Sequence, residues 1–130
     1  GEQDNDLPNL RRMSARDVVE ITQPDICYIG GVSRAMQVAK MAEAFGKMCV
    51  PHSANLSLLT VFAQHLMAAI PNAAPHLEYS IEPTPWAEEI YTPLPRVQDG
   101  KLPLPDGPGW GIAIRQDWLK KAERKVSEQA

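Results

Sequence analysis

Lys47-Met48-Cys49-Val50-Pro51-His52-Ser53 is a short apolar run that begins after Gly46 and stops on Pro-His-Ser. An apolar run bounded by glycine and proline reads as a buried strand, and His52 stands at its C-terminal end. Parallel α/β structures present catalytic groups at that end. A lone histidine there is more often a hydrogen-bonded structural group. His52 has company, however: Gln23-Pro24-Asp25 ends a preceding strand-like run, Val18–Thr22, and His76-Leu77-Glu78 lies in a later one, Pro75–Tyr79.

Working outward, the spacing predicts a helix from Leu7 to about Ala15 through Leu7, Leu10 and Met13, with Pro8 in its first turn. Gly30-Gly31 is a turn, with Ser33 as the expected cap of a helix carrying Val38, Met41, Ala42 and Phe45, and Gly46 as its stop. Asn55 or Ser57 starts a second long helix that Pro71 ends. Helix and strand therefore alternate over the first eighty residues, which argues for a parallel sheet with crossover helices. Glu2, Asp25, His52 and Glu78 recur about every 25 residues, close to one βα unit of a barrel. An open doubly wound sheet has a similar period, so spacing alone leaves both architectures open.

After Tyr79 proline becomes dense and the alternation stops. Asp99-Gly100 signals a hairpin, Trp110–Ile114 a strand, and Asp117 the cap of a last helix bearing Lys120, Lys121, Arg124 and Lys125. Trp86, Trp110 and Trp118 read as packing anchors.

Composition narrows the function classes. The 130 residues are one domain's worth of chain, 44% hydrophobic and 22% charged, with a net charge of −3. A pI near 5.6 and scattered basic residues give no nucleic-acid footprint. No apolar run is long enough to span a bilayer, so cytoplasm and no membrane partner are the expectations. Cys27 and Cys49 are too few for a disulfide framework or a zinc site, and both are expected as buried free thiols. Gly30-Gly31 lacks the third glycine of a dinucleotide fingerprint.

The residue types at the strand ends suggest proton chemistry. An Asp beside an imidazole holds its tautomer and supports His52 as a general base. Glu78 could donate to a developing oxyanion, and Glu2 could ligate a hard cation, given other oxygen ligands. Salt-bridged or solvated strand ends remain the alternative on spacing alone.

Taken in order, Gly1-Glu2, Gln23-Pro24-Asp25, Gly30-Gly31-Val32, Pro51-His52-Ser53, His76-Leu77-Glu78 and the closing Leu104-Pro105-Asp106-Gly107-Pro108-Gly109-Trp110-Gly111 resemble the C-terminal part of the mandelate racemase subgroup of the enolase superfamily. The resemblance covers essentially the whole chain. It implies an α/β fold: the C-terminal half of a (β/α)7β TIM-like barrel over residues 1–82, from the end of strand 5 to strand 8. Residues 83–130 would then be a segment packing on the barrel and returning to a capping domain.

It also implies Mg²⁺ as cofactor with Glu2 as one ligand, Asp25 and His52 as the dyad that moves the proton α to a carboxylate, and Glu78 as the acid on the enediolate. Tyr28 stands where mandelate racemase has a lysine, which argues against mandelate as substrate. The expected reaction is dehydration of an acid sugar to a 2-keto-3-deoxy acid, with Ser53 and Asn55 as polar neighbours for a polyol. Racemisation or epimerisation of a 2-hydroxy acid is the alternative, and a non-catalytic piece of a larger assembly the competing class. The remaining metal ligands, the second-strand acid/base and the capping domain are expected upstream of Gly1, in a homo-oligomeric enzyme of which this chain is one part.

Overall fold

A computed structural model describes residues 1–54 and 56–126. Asp6 caps the first helix, α1 (Leu7–Ala15), by accepting the Asn9 N–H at 3.0 Å, and Pro8 occupies its first turn, where a missing N–H costs nothing. The strand β1 is short, Ile21–Thr22, and leads through a turn into α2 (Val32–Ala44).

Gly31, not Ser33, is the N-cap of α2: its φ of +99° is open to glycine, and its carbonyl accepts the Ala35 N–H. At the other end Gly46 sits at φ +68°. The N–H groups of Gly46 and Lys47 return to the carbonyls of Glu43 and Ala42, both at 2.9 Å, a Schellman closure of the helix. That closure turns the chain directly into β2 (Met48–Cys49).

β1 and β2 pair in parallel, Ile21 with Met48 and Thr22 with Cys49. The ladder continues past them through Val50 N–H to Thr22 O (3.0 Å) and His52 N–H to Pro24 O (3.1 Å). Ser57 then caps α3 (Leu58–Ala69) through the Leu59 N–H at 3.2 Å; Asn55, the other expected cap, lies outside the described residues.

The third strand is a correction. Its pairing with β2 is a single bridge, Cys49 with Ala73, and Pro75–Tyr79 forms no strand. Pro51 carries no N–H to donate to this segment, so the ladder stops at the Ala74 N–H on the Cys49 carbonyl.

One core cluster joins α1, α2, β2 and α3: Leu10, Ile26, Ile29, Ala35, Val38, Ala39, Cys49, Leu66 and Ile70. Cys49 and Thr22 thus face the helices, while their neighbours Ile21 and Met48 present the opposite sheet face, 42% and 41% exposed. Parallel sheets are ordinarily covered on both faces. This one is open on one side, as a sector cut from a barrel would be.

The tail is built differently. The helix α4 (Ala87–Ile90) leads into β3 (Tyr91–Thr92), which pairs antiparallel with β4 (Ala113–Ile114) before α5 (Gln116–Leu119). The expected Asp99-Gly100 hairpin turn is present, with both residues at positive φ and Gln98 bridged to Lys101. Gly111 is forced: a Cβ there would lie 2.5 Å from that of Pro105. Asp117 lies inside α5, not at its cap, and α5 ends before Lys120, so the basic residues come after the helix instead of lining it. No helix among the described residues is long and apolar enough to cross a membrane.

Candidate functional site

The dyad follows from the ladder. Parallel register brings the ends of β1 and β2 level, and residue parity puts Gln23, Asp25 and His52 on the sheet face of Ile21 and Met48. Asp25 Oδ2 lies 2.9 Å from His52 Nδ1. Its other oxygen accepts the backbone N–H groups of Cys27 (2.7 Å) and Tyr28 (3.0 Å), and its own carbonyl takes the Ile29 N–H. Only 2% of Asp25 is exposed. The carboxylate is thus fixed by its own turn, and the imidazole is fixed by the carboxylate. His52 keeps part of its ring accessible, with the side chain 19% exposed.

Glu78 is joined to the same rim from another direction. Its Oε2 accepts the Ser53 N–H at 2.9 Å and the Gln23 side-chain amide at 3.5 Å. Glu78 therefore meets the residue after His52 and the residue two before Asp25. The Gln23 contact carries geometric information. Gln23 directly follows β1 and Glu78 lies in the segment beyond β2, about 10 Å away across two sheet spacings, a gap that two long side chains reaching toward each other close.

Glu2 does not join them. It is half-buried in the turn before α1, and no hydrogen bond or ion pair among the described residues links it to Asp25, His52 or Glu78. Mg²⁺ needs near-octahedral oxygen coordination. Glu2 offers one carboxylate, and no group of three acidic, His or Cys side chains that could hold a metal occurs among the described residues. The residues of this chain do not by themselves fit a resident Mg²⁺.

Other expectations change as well. Ser53 is fully buried, its hydroxyl shared with Thr60 at 3.0 Å, so its side chain is structural and only its N–H serves the site. Cys49 is buried as expected, but Cys27 is exposed. Burial raises the Cys27 thiol's pKa, with the Asp25 charge adding to the effect, and burial raises that of Cys49. Both are held as thiols. His65 is tied to the Trp110 carbonyl at 2.9 Å and T-stacked on its indole, a structural role, while His76 is exposed. Trp110 also packs on Phe62, although all three tryptophans keep exposed surface, Trp86 44% and both Trp110 and Trp118 38%.

Sequence reasoning missed the Cys27, Tyr28 and Ser53 N–H groups and the Gln23 amide. The backbone donors to Asp25 had a signal: an Asp straight after a strand-ending Pro, ahead of a turn, is poised to accept N–H groups two and three residues on. The Gln23 contact had none, because it joins side chains 55 residues apart in the chain.

The model of the enolase C-terminal domain-like family matches residues 1–118. D-gluconate dehydratase of Thermoproteus tenax is 32% identical over 112 residues, covering 85% of this chain and 22% of that protein. A crystal structure from Roseobacter denitrificans, provisionally described as a racemase, superposes with a TM-score of 0.91 at 45% identity, over 99% of this chain and 36% of that one. A Burkholderia xenovorans structure, provisionally described as an L-alanine-DL-glutamate epimerase bound to magnesium and fumarate, gives 0.78 at 28% identity, over 92% and 29%. The chain thus spans between 22% and 36% of the length of these proteins. The open parallel sheet with its covering helices is a sector of their α/β architecture.

Proposed function

Because the chain belongs to the mandelate racemase/muconate-lactonizing subgroup of the enolase superfamily, we propose that it carries the proton-abstracting half of an acid-sugar dehydratase. The observation behind this reading is the Asp25–His52 contact of 2.9 Å at the level ends of two parallel strands. Asp25 accepts the Nδ1 hydrogen, which leaves the Nε2 lone pair of His52 to take the proton α to the substrate carboxylate. Glu78, across the rim, donates a hydrogen bond to the enediolate oxygen as charge develops there. The β-hydroxyl then leaves as water, taking up the proton held on the His52 imidazolium, and the resulting enol tautomerises to the 2-keto-3-deoxy acid.

Mg²⁺ is the cofactor implied by this reading, with Glu2 as a single ligand and the rest of the barrel supplying the others; bound, it would neutralise charge on the carboxylate. The enzyme is proposed to be cytoplasmic and homo-oligomeric, with the capping domain against the proline-rich tail. The dehydratase likeness supports loss of water. The racemase likeness favours a second reading, in which the same His52 exchanges the α-proton with no water lost.

One experiment separates them. Full-length protein is incubated with Mg²⁺ and a panel of acid sugars in D₂O. Keto acid is the expected product, α-deuteration without keto acid would mean racemisation or epimerisation, and neither would refute both. His52→Asn should lower the rate about 10²- to 10⁴-fold, the range for a positioned general base. A variant with the wild-type rate would remove His52 from the mechanism.

A further inference from the structure

We infer that Gln23 is a positioning residue that selects which oxygen of Glu78 faces the substrate. The inference rests on the role proposed for Glu78. The Gln23 amide and the Ser53 N–H converge on one carboxyl oxygen, Oε2, at 3.5 and 2.9 Å. The other oxygen, Oε1, receives no hydrogen bond among the described residues. A carboxyl group pinned through one oxygen by two donors keeps its second oxygen at a fixed bearing. It is this second oxygen that can carry a proton and donate it.

The two anchors are unequal. Ser53 N–H belongs to backbone held by its neighbours: His52 N–H is bound to Pro24 O, and the Ser53 hydroxyl to Thr60. A single such donor leaves Glu78 free to swing about the Oε2 contact. The Gln23 amide arrives from the residue after β1, on the far side of β2 from Glu78, and blocks that rotation. Gln23 is also two residues before Asp25, so one short segment orients both the imidazole's partner and the acid opposite it. The same side chain thereby couples the bearing of Glu78 to that of the dyad.

Two substitutions in the full-length protein test this. Gln23→Met keeps length and bulk and removes the donor; Gln23→Glu keeps the shape, turns the donor into an acceptor and sets a second carboxylate against Glu78. An orienting contact that matters only in the transition state lowers kcat and leaves KM unchanged. With Gln23→Met kcat should fall about tenfold, the upper scale of one net hydrogen bond, and with Gln23→Glu it should fall further. A purely steric role predicts the reverse ranking, with the isosteric Glu variant near wild type, and would overturn the inference. So would a wild-type kcat in both variants, or a loss confined to KM.

A second readout does not depend on turnover. The crystal structure of Gln23→Met should show the Glu78 carboxylate turned about its retained Oε2 contact with the Ser53 N–H, Oε1 at a new bearing, and Asp25 and His52 still in contact. Glu78 unmoved would refute the role of Gln23 even if the protein dehydrated no acid sugar. An inactive wild type with a displaced Glu78 would instead refute the proposed reaction alone.

Discussion

The β1–β2 frame and the tail from Ala87 to Leu119 reach comparable lengths of chain by opposite means. In the frame, parallel backbone hydrogen bonds run from Thr22 to His52, and nine buried residues from three helices, a strand and the turn after β1 close over one face. In the tail the buried cluster shrinks to Val61, Ala87 and Tyr91. Attachment there depends on individual side chains donating to backbone: Tyr91 to the carbonyls of Leu56 and Ser57, Gln64 to Pro103, Tyr79 to Pro95. A ladder fixes position collectively, whereas single donors fix it one contact at a time. The dyad sits on the ladder, where small losses elsewhere do not move it.

The contrast can be broken at its strongest point first. Leu10→Ala, at a site 2% exposed in the frame's core, should cost about 2–5 kcal/mol of unfolding free energy by chemical denaturation. Tyr91→Phe should cost about 1 kcal/mol, the net worth of one hydrogen bond, and lower the resistance of the tail to proteolysis before that of the frame.

Alkali sharpens the same comparison. Burial, followed by the neighbouring Tyr79, pushes the Tyr91 hydroxyl up to about 12, whereas an unfolded tyrosine titrates near 10. The unfolded state therefore loses its proton first as pH rises. The contribution is fully present below about pH 10 and disappears between there and about 12. Wild type should lose this increment in alkaline denaturation, and Tyr91→Phe should lack it. Smallest of all, Arg96→Ala, which removes an exposed pair with Glu88, should change stability by less than about 0.5 kcal/mol.

Frame and tail were also unequally legible in the sequence. Asp25 and His52 could be read because each comes after a proline that ends an apolar run, and covalent features of that kind survive without tertiary knowledge. Gly46 was readable for the same reason: its left-handed conformation is a property of one residue. Pro75–Tyr79 reads as a strand because its apolar and aromatic residues suit one, whereas pairing with β2 needs the donor that Pro51 lacks. Ser33 and Asp117 each fell one or two residues inside the helices they were expected to cap, since the true start was set by Gly31 in one case and by the carbonyl of Arg115 in the other. The Cys27 exposure and the isolation of Glu2 depend on how loops lie over the core, for which local pattern carries no signal.

Pro24 and Pro51 have a consequence for how such a chain can change. Each removes one amide hydrogen at the rim, yet the ladder still reaches the His52 N–H on the Pro24 carbonyl, so the last parallel contact of the frame lies one residue before Asp25. The turn from Asp25 to Ile29 holds the carboxylate through the Cys27, Tyr28 and Ile29 N–H groups, so loops can be exchanged between relatives only beyond that turn and beyond Ser53 without moving the dyad. A library that varies the rim would therefore keep Asp25–Ile29 and His52–Ser53 and recombine only what lies outside them, so that the proposed proton-moving pair is carried over unchanged.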